Sequence, residues 1–315
     1  MRKEIRVAIQ GVHGAFHDIA AREYFKGSSL EIIACLTFED LFALLEKGGC
    51  DYGMVAVENS VAGILSHNYF LLNEYSMQIV GEHYLRIVQN LMALPGSSIE
   101  DIKEVRSHPI ALRQCHLYLN TLRERGVKMV ESEDTALAAK RIAQDSLKGI
   151  AAIAGELAAK IYGLDIIKAG IESNSRNFTR FLILKRKTSV AGSLDTSDLL
   201  NSSELMNSNG IAPSINLLNK ASVSFTLGHK PGALCRVLEI FSLHNLNLTL
   251  IQSLPVLGRE WEYKFFADFV FLEGSSYEAA LEEVAKVATS VTLLGLYCRG
   301  VASMQPFGES HEGLQ

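Results

Sequence analysis

The chain has little that would staple, anchor or tether it by charge. Its five cysteines, Cys35, Cys50, Cys115, Cys235 and Cys298, are odd in number, scattered and nowhere in a Cys-x-x-Cys pair. That argues against a disulfide framework or a thiolate metal site and leaves small buried thiols. Positive charge is not in excess: 30 Lys and Arg stand against 35 Asp and Glu, a net charge of -5, so no basic stripe is available for nucleic acid. No apolar run approaches the length that spans a bilayer. The start, Met1-Arg2-Lys3-Glu4-Ile5, lacks an apolar run followed by a small-residue cleavage site. These absences lead to the expectation of a cytoplasmic protein with neither nucleic acid nor membrane as partner. What is present is apolar content, 48% hydrophobic against 21% charged over 315 residues, enough to bury real cores in two domains or three smaller ones.

The first part alternates strand and helix. Ile5 to Gln10 reads as a strand, Gly11-Val12-His13-Gly14 as a turn, and about Ala15 to Phe25 as a helix. A strand over Leu30 to Cys35 precedes a helix carrying Phe38, Leu41, Phe42, Leu44 and Leu45, which Gly48-Gly49 stops. Tyr52 to Val57 is a strand, and a helix follows through Tyr69, Leu71 and Leu72. This order implies a mostly parallel sheet with helices on both faces. A second α/β lobe is expected over about 84–170, opening on a strand from Ile87 to Leu94 and including one helix through Leu112, Cys115, His116 and Leu119. A last strand over 178–185 is expected to close that second unit. Residues 187–218 turn to Ser, Thr, Asn and Asp and read as a linker. From 219 to 300 the pattern is β-α-β-β-α-β, a ferredoxin-like module, with Trp261 expected beside its third strand. Residues 301–315 read as a flexible tail.

The most informative stretch is Asn177-Phe178-Thr179-Arg180-Phe181-Leu182-Ile183-Leu184. Arg forks onto a carboxylate through two parallel hydrogen bonds, and a neighbouring hydroxyl can donate to a leaving oxygen. The same residues also suit an edge strand with polar ends. Three further polar clusters, Gly11–Gly14, Glu58-Asn59-Ser60 and Ser107-His108-Pro109, lie at the C-terminal ends of predicted strands, the edge at which open α/β sheets bind ligands. Each alone has an ordinary reading: a tight turn rather than an anion loop, an N-cap, a helix start. Four together, gathered by two lobes, favour a cleft. His17, His67, His83, His116 and His244 show no ligand spacing and read as surface or capping groups.

Taken with Val57-Glu58-Asn59-Ser60, Ser107-His108-Pro109 with Ala111-Leu112-x-Gln114-Cys115, Ala151-Ala152-Ile153-Ala154 ahead of Glu156 and Ala158-Ala159, and Thr179-Arg180-Phe181, the chain resembles the prephenate dehydratases. In these a catalytic domain, here about 1–186, precedes an ACT regulatory domain, here marked by Pro231-Gly232-Ala233-Leu234 and Asn247-Leu248-Thr249. The resemblance implies a two-lobed α/β catalytic domain like a type II periplasmic binding protein. It implies conversion of prephenate to phenylpyruvate with loss of water and carbon dioxide, driven by aromatisation, with no metal or redox cofactor. Carried over, Thr179 donates to the leaving hydroxyl, Arg180 clamps a carboxylate and Phe181 is an apolar wall. Gly11, Gly14, Asn59, Ser60, Ser107 and His108 are then substrate-binding. Gly232, Ala233, Leu234, Asn247 and Leu248 are then the site of L-phenylalanine as effector, in a homodimer or homotetramer.

The chain also departs from the family pattern. The first loop is Gly11-Val12-His13-Gly14-Ala15-Phe16 where many members have Pro-Glu-Gly-Thr-Phe, and Ile110 stands where Gln is common. The family's Glu-Ser-Arg-Pro motif reads Gln252-Ser253-Leu254-Pro255, one negative and one positive charge fewer. Two rival readings remain: the same chemistry on arogenate, suggested by Ser66-His67-Asn68-Tyr69-Phe70-Leu71-Leu72, and a non-catalytic sensor of a small anion.

Overall fold

In the computed structural model, residues 4–187, 218–256, 258–272 and 276–300 are described. The expected tail, and all but the two ends of the expected linker, lie outside them. The first lobe runs β1 (Ile5–Gln10), α1 (Phe16–Tyr24), β2 (Leu30–Cys35), α2 (Phe38–Glu46), β3 (Tyr52–Asn59), β4 (Gly63–Ile64), α3 (Ser66–Glu74) and β5 (Met77–Arg86). The second runs β6 (Asn90–Ala93), β7 (Glu104–Ser107), α4 (Pro109–Gln114), α5 (His116–Glu124), β8 (Lys128–Glu131), α6 (Thr135–Gln144), β9 (Ile150–Ala154), α7 (Glu156–Tyr162) and β10 (Asp165–Lys168). The chain then returns as β11 (Phe178–Arg186). The C-terminal module is β12 (Lys220–Leu227), α8 (Ala233–Leu243), β13 (Asn247–Pro255), β14 (Tyr263–Val270), α9 (Tyr277–Val287) and β15 (Ser290–Tyr297).

Local chemistry sets several boundaries. Thr37 and Asp40 cap α2 reciprocally, Asp134 caps α6 through Leu137 N–H, and Pro109 occupies the first turn of α4. The helix expected through Cys115 is two helices, because Cys115 leaves helical geometry at ψ 15°.

Sheet order is β2-β1-β3-β11-β5 in the first lobe, with β4 paired to β3, and β10-β6-β9-β7-β8 in the second. Each is parallel on one side and antiparallel on the other, since β11 runs against β3 and β5 and β6 against β9 and β10. The mostly parallel expectation is thus half met. The reason is topological: the chain crosses between lobes twice, so β11 comes home in reverse and joins the first sheet, not the second. The two crossing segments are tied to each other by Ile87 N–H to Asn177 O at 2.8 Å and Ile171 N–H to Gln89 O at 2.9 Å.

The strand β5 did not stand out in the sequence because Gln78 and Glu82 interrupt its apolar run. Both are buried, Glu82 because the C-terminal module covers it with Lys220. The module's sheet, β13-β14-β12-β15, has the expected β-α-β-β-α-β order. Its Phe266, Leu250, Leu294 and Tyr297 share one core with Val57, Leu71, Ile79, Leu182 and Leu184 of the first lobe. Trp261, expected beside the third strand, is instead 70% exposed, in a turn at φ 63°.

Candidate active site

Side chains alternate across a strand, and β11 uses the alternation to face two environments. Phe181 and Ile183 pack into the core beneath α1, while Leu182 and Leu184 pack toward the C-terminal module. Thr179 shares the first face and Arg180 the second. The cleft between the lobes, about 290 Å³, is therefore lined by Thr179 and Phe181 but not by Arg180. The expected carboxylate clamp is turned away: Arg180 is 3% exposed and ion-paired to Glu82 and Asp268. One residue of spacing on a strand is enough to separate the hydroxyl from the guanidinium.

Asn59 holds the cleft's polar centre. Its Oδ1 accepts from Val61 N–H at 3.0 Å and Ala62 N–H at 2.7 Å, which fixes the amide orientation. Its Nδ2 donates to Asn177 Oδ1 at 2.8 Å and to Thr179 Oγ1 at 2.9 Å. Because Thr179 Oγ1 accepts that bond, its own proton is free to point at a ligand. From the second lobe Gln114 Nε2 donates to Asn59 Oδ1 at 3.3 Å, and Gln89 Nε2 donates to Gln114 Oε1 at 3.2 Å. Four groups thus form a one-directional donor chain ending at the Thr179 hydroxyl, and such chains polarise one another in a low-dielectric setting. The chain crosses from lobe to lobe, so it is complete only while Gln114 meets Asn59.

The other expected site residues divide. His108 lines the cleft and caps α4, with Nδ1 accepting from Ile110 N–H at 3.2 Å; burial lowers its pKa. Ser107 is fully buried and donates to Ile153 O at 2.7 Å, a latch between β7 and β9 rather than a substrate contact. Ser60 donates to Arg176 O at 2.8 Å and accepts from Phe178 N–H at 2.9 Å, pinning the start of β11 outside the cleft lining. Gly11 and Gly14 shape the loop and do not line the cleft. At Gly14, with φ 88°, a Cβ would lie 2.8 Å from Ala158 Cα, so its glycine lets the lobes approach. In the C-terminal module Leu234, Ala233 and Leu248 pack on one core, with Gly232 and Asn247 exposed near them in sequence.

Several lining residues went unread in the sequence: Gln10, Phe16, His17, Gln89, Gln114, Glu133, Asp134 and Thr135. Gln114 stood within the quoted Ala-Leu-x-Gln-Cys motif, the one available signal. His17, read as a surface or capping group, has its ring edge-on to Phe181 and Phe38 and accepts from Ala56 N–H through Nε2 at 3.4 Å. Burial drops its pKa to about 3, so the ring is neutral. Among the described residues lining the cleft there is no Lys or Arg, whereas Glu133 and Asp134 are carboxylates. Burial raises the Asp134 pKa.

The chain thus combines a two-lobed α/β domain, with the Thr179 hydroxyl in the lining of its interlobe cleft, and a βαββαβ module. The profile of the family "Prephenate dehydratase" matches residues 7–189, and the chain belongs to that family. It is 35% identical over 303 residues to "Arogenate dehydratase/prephenate dehydratase 2, chloroplastic" of Arabidopsis thaliana, covering 93% of this chain and 72% of the relative. Among solved structures, the prephenate dehydratase of Arthrobacter aurescens in complex with L-Phe is 26% identical with a TM-score of 0.77, over 94% of this chain and 90% of that one. "GqqA- a novel type of quorum quenching acylases" is 28% identical with a TM-score of 0.77, over 93% and 98%.

Proposed function

We propose that this chain is a cytoplasmic prephenate dehydratase that forms phenylpyruvate for phenylalanine synthesis, with the C-terminal module acting as an ACT domain. The observation that carries the reading is the Thr179 hydroxyl, which accepts from Asn59 and so offers its proton to the cleft. In the reaction the C4–O bond breaks as Thr179 donates to the departing oxygen, and water leaves. The bond from C1 to its carboxylate breaks, carbon dioxide leaves, and that electron pair completes the aromatic ring. A proton from solvent restores Thr179.

A carboxylate departing as carbon dioxide loses its charge on the way to the transition state. A guanidinium on it would favour the ground state and slow the step. Neutral donors such as Gln10, Gln89, Gln114 and Thr135 suit it better, and Arg180 facing elsewhere is consistent with this. An acyl-transfer reading is less well supported, because Thr179 receives a proton-donating amide and not a base that would activate it.

Phenylalanine is the proposed effector, at Gly232, Ala233, Leu234, Asn247 and Leu248, in a homodimer or homotetramer. Arogenate is the second reading, favoured by Glu133 and Asp134 in the lining, which suit an ammonium group. The test is incubation of the purified chain with prephenate or arogenate, following phenylpyruvate or phenylalanine, with and without added phenylalanine. Turnover of prephenate supports the first reading, arogenate alone the second. Binding of either without product makes the cleft a sensor.

A further inference from the structure

Arg180 adjoins Thr179 in the chain but belongs to another set of contacts. Its Nε donates to Glu82 Oε2 at 2.7 Å, its Nη1 lies 2.6 Å from Asp268 Oδ2, and its Nη2 donates to Tyr297 Oη at 3.3 Å. Glu82 also accepts from Lys220 Nζ at 2.8 and 3.0 Å and from Gly300 N–H at 3.0 Å. All four charged residues are buried, none more than 3% exposed. Two cations balance two carboxylates: Arg180 and Glu82 come from the catalytic domain, Lys220 and Asp268 from the C-terminal sheet.

A buried ion cluster is a poor source of stability, because desolvation offsets much of the Coulomb gain. Its location indicates a different use. The β11–β3 register shifts between Arg180 and Phe181, with Arg180 opposite Glu58 and Phe181 opposite Ala56. The extra residue is Val57 on β3, and a bulge bends the strand that carries it and re-aims the adjoining side chains. On β11, which pairs with β5 in unbroken register from Phe178 to Ile183, Thr179 has two side-chain supports beside the ladder: Asn59 on the cleft face and, through the adjoining residue, Arg180 on the other.

We propose that Arg180 is a positioning residue: the buried cluster with Glu82, Lys220 and Asp268 ties β11 to the C-terminal sheet directly behind Thr179, opposite the β3 bulge, and so aims the Thr179 hydroxyl into the cleft. The C-terminal sheet thereby sets the turnover rate through Lys220 and Asp268. The inference rests on the reading of Thr179 as proton donor.

The test uses two variants of the full chain altered only in the C-terminal sheet: Asp268→Asn, and the double variant Lys220→Met with Asp268→Asn, which keeps the cluster neutral if the single one folds poorly. For each, kcat and KM on prephenate and arogenate are measured beside amide exchange of residues 178–182. The expected result is a fall in kcat of about tenfold, within the range of coupling effects seen through packed networks, with KM nearly unchanged and faster exchange across 178–182. A lower melting temperature with kcat and exchange unchanged overturns the proposal and leaves the cluster as mere structure. A rise in KM alone overturns it as well. If the wild-type chain turns over neither substrate, the proposed function fails, and the exchange readout alone decides whether the tie exists.

Discussion

At Thr179 the geometry separates two jobs that adjacent residues were expected to share. Thr179→Ala removes the only hydroxyl at the end of the Gln89–Gln114–Asn59 chain, and kcat is expected to fall at least about a hundredfold, as for loss of a positioned proton donor. Thr179→Ser keeps the hydroxyl and should retain most of the rate; initial rates of phenylpyruvate release check both. Gln114→Ala leaves Asn59 Oδ1 with its two backbone donors, so the protein should stay folded while kcat falls less than in Thr179→Ala. His17 adds a pH effect on stability. Its pKa is about 3 when folded and about 6.5 when unfolded, so between these values the unfolded chain binds the extra proton. Stability should therefore be fully present above about pH 6.5 and decline as pH falls toward 3, by up to about 1.4 kcal/mol per pH unit. Denaturant unfolding of the wild type and His17→Gln at pH 7, 5 and 4 measures it, with the variant expected to lose less on acidification.

At the scale of elements, β11 and β5 are walls shared between the catalytic domain and the C-terminal module. Gly295 of β15 comes so near β5 that an added Cβ would collide with the Ile79 carbonyl. Gly295→Ala is expected to loosen that docking and lower unfolding stability by about 1–3 kcal/mol, the usual cost of overpacking; a thermal scan reads it. These shared walls also explain what was legible in the sequence. Elements buried on one face, such as α2 with its Phe38–Leu45 stripe, announced themselves by periodicity. The strand β5 hid because its polar residues Gln78 and Glu82 are buried, Glu82 against the module, a tertiary circumstance that a local pattern does not carry. Similarly, Asn59 and Thr179, which line the cleft, could be picked out by motif. That Arg180 faces the other way required knowing that residue 179, not 180, falls on the cleft face. Ser107 and Ser60 resembled substrate contacts because serines that bind backbone carbonyls look the same in sequence as serines that bind substrate.

For the whole molecule, the charge of the cleft bears on which substrate it prefers. Prephenate carries two negative charges. Arogenate exchanges a keto group for an ammonium and carries one net negative charge. The described lining offers Glu133 and Asp134 but no Lys or Arg, and Glu133 is already engaged by Arg141 at 2.8 Å. Asp134 is the carboxylate left to meet an ammonium. Its Oδ1 caps α6 at 2.8 Å, while Oδ2 is directed toward Gly11, where an added Cβ would lie 3.0 Å away. Asn is as good an N-cap as Asp, so Asp134→Asn removes the charge and keeps the helix. If Asp134 receives the ammonium, the ratio of kcat/KM for arogenate over prephenate should fall about tenfold in that variant, the equivalent of about 1.4 kcal/mol for a partly desolvated charge contact. The same ratio in the wild type should also fall on acidification. Burial raises the Asp134 pKa, so its carboxylate is neutralised at a higher pH than an exposed one, and the preference for the amine fades as pH drops through that value. A ratio that responds to neither the substitution nor pH would assign the discrimination to shape, with the neutral amides of Gln10, Gln89 and Gln114 holding both substrates alike.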